Sequence, residues 1–241
     1  MTDNKTIAIF GAGSGLGASL ANRFGREGYR VALVARRAGP LDERVAELAR
    51  AGIDAAAFPA DLTDLKSIPG LVRSIEGRFG SIDTAVYAPV SSDMGFVPAA
   101  ELDASKLQSM ANIALFSPVE VSYAVLSGML ARGDGAIVLV SGLSAVVTIP
   151  GMSGVGPLMA AARNYIFTLN AEVASKGVFT GSVSIGAMID RSTGMRAATA
   201  GGAKLDSRLP IIDPDEIAEK IWTLITKRDR VEAILPLQPH A

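Results

Sequence analysis

Short apolar runs alternate with helix-forming segments along almost the whole chain, and this alternation restricts the fold more than any other feature. The helical segments between the runs include PLDERVAELARA at 40–51 and PDEIAEKIWTLIT at 214–226, each with a proline in its first turn. Strands that take turns with helices favour a parallel sheet covered on both faces. We therefore predict an α/β protein with a doubly wound parallel sheet of about seven strands. The strand-like runs are 5–10, 29–35, 53–58, 81–87, 135–141, 177–185 and 231–237.

Residue usage excludes several kinds of site in this chain of 241 residues. It contains no cysteine, and its single histidine is His240, next to the C-terminal residue. Thiolate chemistry, disulfides, a histidine proton shuttle and a histidine-ligated metal are therefore not expected. The formal net charge is −1, with lysine and arginine scattered along the chain, so we predict a small-molecule substrate and no nucleic acid.

Two segments of the sequence bear on where in the cell the protein is located. Met1–Lys5 is polar and leads straight into the first apolar run, so no signal peptide is visible. Residues 135–162 carry no charge, but Pro150, Pro157 and several glycines interrupt them, which favours a buried strand, a loop and a buried helix start over a membrane span. We expect a cytoplasmic protein with no membrane partner.

A glycine-rich turn, FGAGSGLGASL, separates the first strand from the first helix. Gly11, Gly15 and Gly17 have the spacing G-x-x-x-G-x-G, whereas G-x-G-x-x-G fails because position 16 is Leu16. Such a turn lets the backbone approach a pyrophosphate, and the helix N-terminus offers unpaired N–H groups to it. The other interpretation is a turn that only eases the strand into the helix.

The end of the second strand indicates which dinucleotide would bind. NAD-binding proteins usually place an acid there for the ribose 2′-OH, but Arg36 and Arg37 occupy this position, and no carboxylate lies between Glu27 and Asp42. Two guanidinium groups suit a 2′-phosphate. NADP(H) is therefore favoured over NAD(H), with a solvated arginine pair as the alternative.

With these features the chain resembles the short-chain dehydrogenase/reductase family over nearly all of its length. The glycine spacing matches the family, as do Asp61 in ADLTD, Asn112 in MANIALF and the helix at 214–226. The resemblance implies a single Rossmann-type NAD(P)-binding domain over 1–241 and oxidoreductase activity. It also implies that the cofactor contacts Ser14, Leu16, Leu62, Ala88, Gly186 and Ile189.

The catalytic motif departs from the family. Aligning the family's PGMSAYSASKAAV with PGMSGVGPLMAAA at 150–162 puts Val155 at the catalytic Tyr position and Met159 at the catalytic Lys position. The catalytic Ser position falls on Gly142. Of the four residues that carry the proton relay in the family, only Asn112 is present, and it has a second interpretation as a residue that tolerates a helix irregularity.

Other side chains are candidates to replace the missing catalytic serine, tyrosine and lysine. Tyr87, at the end of the fourth strand, is the leading substitute acid, although a tyrosine at a strand end also often simply packs there with its hydroxyl in water. Ser141 or Ser144 can polarise a carbonyl or only satisfy the backbone. Asp190 acts as an acid if an apolar pocket raises its pKa, or else as a helix cap. Arg163 is a candidate to reach the ribose in place of the lysine.

Two functions follow from this pattern. The first is an NADP(H)-dependent oxidoreductase that acts on a small, fairly apolar carbonyl or alcohol with a non-standard proton donor, and whose segment 186–210 closes over the substrate. The second is a catalytically inactive NADP(H)-binding protein that works as a sensor or partner subunit. Family members pair through helices that resemble 103–131 and 158–174, so we expect a homodimer or homotetramer, although both helices also suit burial on the protein's own sheet.

Overall fold

The described part of the chain is built on one sheet in which every pair of neighbouring strands is parallel. The computed structural model describes residues 4–89, 96–200 and 210–236. Seven strands lie in the order β3-β2-β1-β4-β5-β6-β9, and β7 pairs with β8 in a separate two-stranded ribbon. The predicted doubly wound parallel sheet is thus confirmed. The strands are β1 Thr6–Phe10, β2 Arg30–Ala35, β3 Ala55–Pro59, β4 Thr84–Tyr87, β5 Gly135–Gly142, β6 Val178–Ile185, β7 Met188–Ile189, β8 Ile211–Ile212 and β9 Glu232–Leu235.

Helices connect the strands of the sheet and cover both of its faces. They begin close to the predicted positions, and the sequence did not predict the short helix α7. The α-helices are α1 Leu16–Arg26, α2 Ala38–Arg50, α3 Ile68–Phe79, α4 Ala104–Ala111, α5 Ser117–Arg132, α6 Val155–Val173, α7 Thr193–Ala198 and α8 Pro214–Lys227.

Two hydrophobic layers hold the sheet between the helices. In β1, Ile7 and Ile9 pack towards α1 and α8, whereas Ala8 and Phe10 pack towards α3, α5 and α6. All four residues have no exposed surface. Successive side chains of a strand point to opposite faces, so a strand buried on both faces is continuously apolar. This arrangement explains why the strand runs of the sequence lack alternation.

The long fourth helix contains an irregular segment near its middle. Residues 103–131 were predicted as one helix with a kink at Pro118, and the structure has α4, a π-helical segment Asn112–Phe116 and then α5 without a break. The N–H of Ser117 donates to the carbonyl of Asn112, five residues earlier. Because Pro118 has no N–H, the regular pattern cannot continue across this point.

One stretch of the described residues, Ala104–Arg132, is long and apolar enough to cross a membrane by length and composition alone. Within it, α5 packs on β4, β5, α3 and α6. Val121, Val125 and Met129 of this helix are buried in the second hydrophobic layer. The apolar residues of the helix therefore contribute to the core of the sheet.

Candidate dinucleotide and catalytic site

The glycine-rich turn lies at the carboxyl edge of the sheet and is held there by main-chain hydrogen bonds. The N–H groups of Gly11 and Ala12 donate to the carbonyl of Val34, at 2.9 and 2.8 Å. Gly11 has φ of +100°, a value that favours glycine. These contacts join the turn to the end of β2, where Arg36 and Arg37 follow.

Two other glycines of the turn are required by close packing. A Cβ on Gly17 would lie 2.7 Å from Ala12 Cα, and a Cβ on Gly15 would lie 3.0 Å from Ser192 Cβ. Leu16 begins α1, and no side chain of the described residues caps this helix. The N–H of Ala18 donates to the carbonyl of Gly13 at 3.0 Å, whereas the N–H groups of Leu16 and Gly17 have no acceptor within the helix and are main-chain donors for an anion.

The end of β2 and the loop after β3 form the second part of the site. Arg36 and Arg37 are both exposed, as is Asp61. Hydrogen bonds from the N–H and hydroxyl of Thr63, at 2.9 and 2.8 Å, lower the pKa of Asp61, and the nearby charge of Arg36 lowers it further. The side chain of Leu62 is buried in the core, which leaves only its backbone to face a ligand.

Asn112 connects this loop to the irregular helix. Its Nδ2 donates to the carbonyl of Thr63 at 3.0 Å, and its own carbonyl is the acceptor of the π-helical hydrogen bond. The amide therefore holds the loop of Asp61 against the fourth helix. The placement gives Asn112 a positioning contact and also agrees with its interpretation as a residue at a helix irregularity.

The segment after β6 passes beside the loop after β5 and beside the glycine turn. Gly186 packs on Leu143 after β5, and its N–H donates to the carbonyl of Leu235 at 2.6 Å. Ile189 is partly buried against the first hydrophobic layer. At the end of β4, the N–H of Ala88 donates to the carbonyl of Phe10 at 2.7 Å. The same edge of the sheet as the glycine turn is thus bordered by Ala88, Gly186 and Ile189. Of the segment 186–210, which was expected to close over the substrate, residues 201–209 lie outside the described residues.

The predicted catalytic positions come together where β5 meets the start of α6. Val155 is buried at 4% exposure, and the N–H of Gly142 donates to the sulfur of Met159 at 3.5 Å. A Cβ on Gly142 would lie 3.7 Å from the Met159 sulfur, within ordinary contact. The three substituted positions therefore adjoin one another, and neither Val155 nor Met159 carries a hydrogen that can act as a general acid.

Ser144 is the hydroxyl best placed in this cluster, and the sequence did not separate it from Ser141. Its Oγ is buried, has no hydrogen-bond partner within the described residues and lies 3.5 Å from the position of a Cβ on Gly142. A Cβ on Gly156 of α6 would lie 3.8 Å from the same oxygen. Buried polar groups are nearly always paired, so Ser144 is the residue of this cluster whose hydroxyl can still donate a hydrogen bond.

Ser141 points into a different polar cluster. Its Oγ and that of Ser184 are 3.2 Å apart, and Ser184 Oγ donates to Glu232 Oε1 at 3.5 Å. Arg163 binds both carboxylate oxygens of Glu232, each at 2.6 Å. The expectation that Arg163 reaches a ribose is therefore wrong, because its guanidinium is engaged by Glu232 of the edge strand.

Tyr87 does not offer a free hydroxyl at the cleft. It is 5% exposed, and its hydroxyl donates to the main-chain carbonyl of Ile113 at 2.7 Å. Burial raises the pKa of this phenol far above its ordinary value. The expectation of Tyr87 as the substitute acid is corrected, because its side chain is buried and its hydroxyl donates to the fourth helix instead of facing the cleft.

Asp190 is also placed differently from the prediction. Its side chain is exposed rather than enclosed by apolar groups, and Oδ1 accepts from the N–H of Arg191 at 2.7 Å. The helix that follows is capped by Ser192, whose Oγ accepts from the N–H of Met195 at 2.9 Å. Asp190 therefore acts neither as a buried acid nor as the cap of α7.

Comparisons with known proteins identify the family of the chain. A family model described as short chain dehydrogenase matches residues 5–200. A dehydrogenase/reductase SDR family protein 7-like of Drosophila melanogaster is 30% identical over 233 residues, which cover 93% of this chain and 71% of the relative. A 2-(S)-hydroxypropyl-CoM dehydrogenase 3 of Xanthobacter autotrophicus is 29% identical over 233 residues, or 92% of this chain and 90% of the relative.

Solved structures show the same fold. An alcohol dehydrogenase of the archaeon Thermococcus sibiricus, in complex with 5-hydroxy-NADP, is 25% identical with a TM-score of 0.80 over 98% of this chain and 99% of that chain. A xylitol dehydrogenase whose structure holds NAD⁺ also has this fold, at 19% identity and a TM-score of 0.84 over 98% of this chain and 99% of that chain. A family match that extends over most of the chain, with the family's glycine spacing at the first turn of the sheet, makes this protein a member of the short-chain dehydrogenase/reductase family.

Proposed function

We propose that the protein is an NADP(H)-dependent oxidoreductase for a small, fairly apolar carbonyl or alcohol, and that Ser144 replaces the missing catalytic serine. The observation that carries the proposal is the buried, unpartnered Ser144 hydroxyl beside Gly142. The proteins to which this chain is similar include a dehydrogenase, and an alcohol dehydrogenase whose structure contains a bound NADP derivative. The edge that would hold a dinucleotide adjoins this hydroxyl.

The glycine turn and the end of β2 fit an NADP(H) molecule. The turn leaves no room for a side chain at Gly17 and little at Gly15, and it presents the N-terminus of α1 to a pyrophosphate. Arg36 and Arg37 are exposed next to Asp61, where a 2′-phosphate would find positive charge. This pairing of donors supports NADP(H) over NAD(H).

The nicotinamide would supply the hydride, and the protein has to position the carbonyl and manage its charge. Ser144 Oγ can donate a hydrogen bond to a carbonyl oxygen placed near Gly142. No side chain at the Tyr and Lys positions can then give up a proton, so the proton would come from water. A positioned general acid contributes about 10²- to 10⁴-fold in rate, so turnover is expected to be slower by that factor than in relatives with the full set.

The apolar side chains at the cleft support an apolar substrate. Val155 and Met159 lie one turn apart on α6, where the family has a hydroxyl and an ammonium group, and Val155 packs with Met110 and Leu158. A pocket of this kind favours apolar over polar substrates, because unpaired polar groups are costly to bury. The identity of the substrate is therefore to be sought among small aldehydes, ketones and secondary alcohols of low polarity.

The test is a fluorescence titration with NADPH and NADH, followed by a panel of apolar carbonyls with saturating NADPH. Wild-type protein should bind NADPH more tightly than NADH and reduce at least one carbonyl. Ser144→Ala should lower that turnover, with NADPH binding unchanged, whereas Ser141→Ala should not lower it. Equal turnover in Ser144→Ala and the wild type would remove Ser144 from the mechanism.

A second function, NADP(H) binding without turnover, is favoured by one contact. The sulfur of Met159 accepts a hydrogen bond from the N–H of Gly142, so the main-chain donor at the aligned serine position is already engaged. In that case the protein would act as a sensor or as a partner subunit. NADPH binding with no reduction of any carbonyl would select this function, and a sedimentation measurement would show whether the expected homodimer or homotetramer forms.

A further inference from the structure

The short helix α7 places a guanidinium group against the glycine-rich turn. Arg196 donates from its NH2 nitrogen to Ser14 Oγ at 2.6 Å and from NH1 to the carbonyl of Arg191 at 3.0 Å. The Ser14 hydroxyl in turn donates to the carbonyl of Arg191 at 3.0 Å. Ser14 and Arg196 are separated by 182 positions in the sequence, so only the fold brings them together.

The contacts that the structure describes for Arg196 are all to neutral oxygens. Besides Ser14 and Arg191, its NH2 nitrogen lies 3.4 Å from Thr193 Oγ1. Arg191, by contrast, pairs with the carboxylates of Asp213 and Asp215 at the start of α8. The two arginines of this segment therefore differ, since Arg191 secures the segment to α8 while the charge of Arg196 faces the turn.

The turn is the part of the chain that would receive the phosphates of a dinucleotide. Ser14 immediately precedes Gly15, the residue at the N-cap of α1, and Ser192 packs on Gly15 from the same segment as Arg196. A phosphate oxygen that accepts from Ser14 or from the first N–H groups of α1 would lie within reach of this guanidinium. Arginine binds phosphate with two parallel hydrogen bonds, which lysine cannot reproduce.

We propose that Arg196 is a phosphate ligand of the cofactor, supplied by α7 in addition to Arg36 and Arg37 at the end of β2. The proposal rests on the proposed NADP(H) binding and adds to it a residue outside the β2 end. It also means that nucleotide binding fixes the position of the segment 190–196. The phosphate in question is either the 2′-phosphate or the pyrophosphate, and the two give different results with NADPH and NADH.

The experiment compares Arg196→Gln, Arg196→Lys and Arg230→Gln in fluorescence titrations with NADPH and with NADH. Arg230 is an exposed arginine that pairs with its neighbour Asp229, so its substitution removes the same charge without touching the turn. Loss of a charge-assisted hydrogen bond should weaken binding about 10- to 100-fold in Arg196→Gln. Arg196→Lys should recover part of this loss, and Arg230→Gln should bind like the wild type.

The outcomes separate the two proposals. Weaker NADPH binding with NADH unchanged assigns Arg196 to the 2′-phosphate, and an equal loss for both nucleotides assigns it to the pyrophosphate, provided that thermal unfolding without nucleotide is unchanged. Tight NADPH binding that Arg196→Gln leaves intact would overturn this assignment alone. A wild-type protein that binds neither nucleotide would overturn the proposed function and this assignment with it.

Discussion

The hydroxyl of Tyr87 donates a hydrogen bond of 2.7 Å to the main-chain carbonyl of Ile113, which lies in the π-helical segment of the fourth helix. In a regular helix that carbonyl would accept from Ser117, but the N–H of Ser117 is taken by Asn112. The next possible donor is Pro118, which has no N–H. Tyr87 therefore supplies the hydrogen bond that Pro118 cannot make.

Replacing Tyr87 with phenylalanine is expected to destabilise the fold rather than to change proton transfer. The partly buried Ile113 carbonyl would be left without a donor, at a cost of about 1–3 kcal/mol in the free energy of unfolding. Denaturant unfolding measures this loss, with Tyr123→Phe as the control, because Tyr123 is 72% exposed on α5. A Tyr87→Phe protein of normal stability with greatly reduced turnover would instead indicate that Tyr87 acts as the general acid.

Alanine at Gly17 is expected to disrupt the glycine-rich turn, whereas alanine at Gly13 of the same turn is not. The added Cβ at Gly17 would lie 2.7 Å from Ala12 Cα, while the nearest atom to a Cβ at Gly13 is 4.0 Å away. Gly17→Ala should lower both thermal stability and NADPH affinity, because the backbone of the turn must shift. Gly13→Ala should keep the wild-type melting temperature, and equal stability of the two variants would show that the turn accommodates a Cβ at Gly17.

Restoring the missing groups is expected to raise turnover. The triple variant Gly142→Ser, Val155→Tyr and Met159→Lys regains a serine, a phenol and an ammonium at the aligned positions. A Cβ at Gly142 lies in ordinary contact with Ser144 Oγ at 3.5 Å, so the serine has space. The gain should be about 10²- to 10⁴-fold for a carbonyl substrate, measured as kcat at saturating NADPH.

The single variant Met159→Lys is the matched control for this experiment, since lysine alone supplies no phenol to hand over a proton. It should bind NADPH and stay slow. A correctly folded triple variant that remains as slow as Met159→Lys would mean that the cleft no longer positions a substrate.

The carboxyl group of Asp61 provides a prediction about pH. Thr63 lowers its pKa through its N–H and its hydroxyl, so the folded-state pKa lies below the unfolded one. Such a group adds stability above its unfolded pKa, and that stability is lost as the pH falls through the folded pKa. Thr63→Val removes the hydroxyl, so the Asp61 pKa should rise towards its ordinary value and the stability contributed near neutral pH should shrink.

Carbon-detected NMR titration of the Asp61 carboxyl is the measurement for this prediction. Thr63→Ser keeps the hydroxyl and should retain the depressed pKa. An identical Asp61 pKa in Thr63→Val and the wild type would leave the hydrogen bond from the Thr63 N–H and the charge of Arg36 as the causes of the shift.

The strands of the sheet could be predicted because burial on both faces makes each of them a short apolar run. The same property hides which face a given side chain occupies. In β4, Ala85 and Tyr87 pack on one layer and Val86 on the other, and all three are buried. No alternation marks the difference, so the sequence could place Tyr87 at the end of a strand but could not show that its hydroxyl meets the fourth helix.

Contacts between distant segments explain the remaining differences. The ribbon of β7 and β8 joins Met188 to Ile211 and Ile189 to Ile212, and neither two-residue piece has a pattern of its own. Ser141 and Ser144 are three positions apart and chemically alike, but Ser184 of β6 engages only Ser141. Which hydroxyl is left for a substrate is therefore decided by the neighbouring strand, and one sequence does not contain that information locally.

The Ser14 hydroxyl is already a donor to the carbonyl of Arg191 and an acceptor from Arg196. A nucleotide that uses this hydroxyl exchanges hydrogen bonds instead of adding new ones, so little net enthalpy comes from Ser14 itself. The gain on binding then depends on bringing phosphate charge next to exposed guanidinium groups, an attraction that dissolved ions screen. Affinity for the dinucleotide should consequently fall steeply with ionic strength, so the measured Kd will depend on the salt concentration of the buffer.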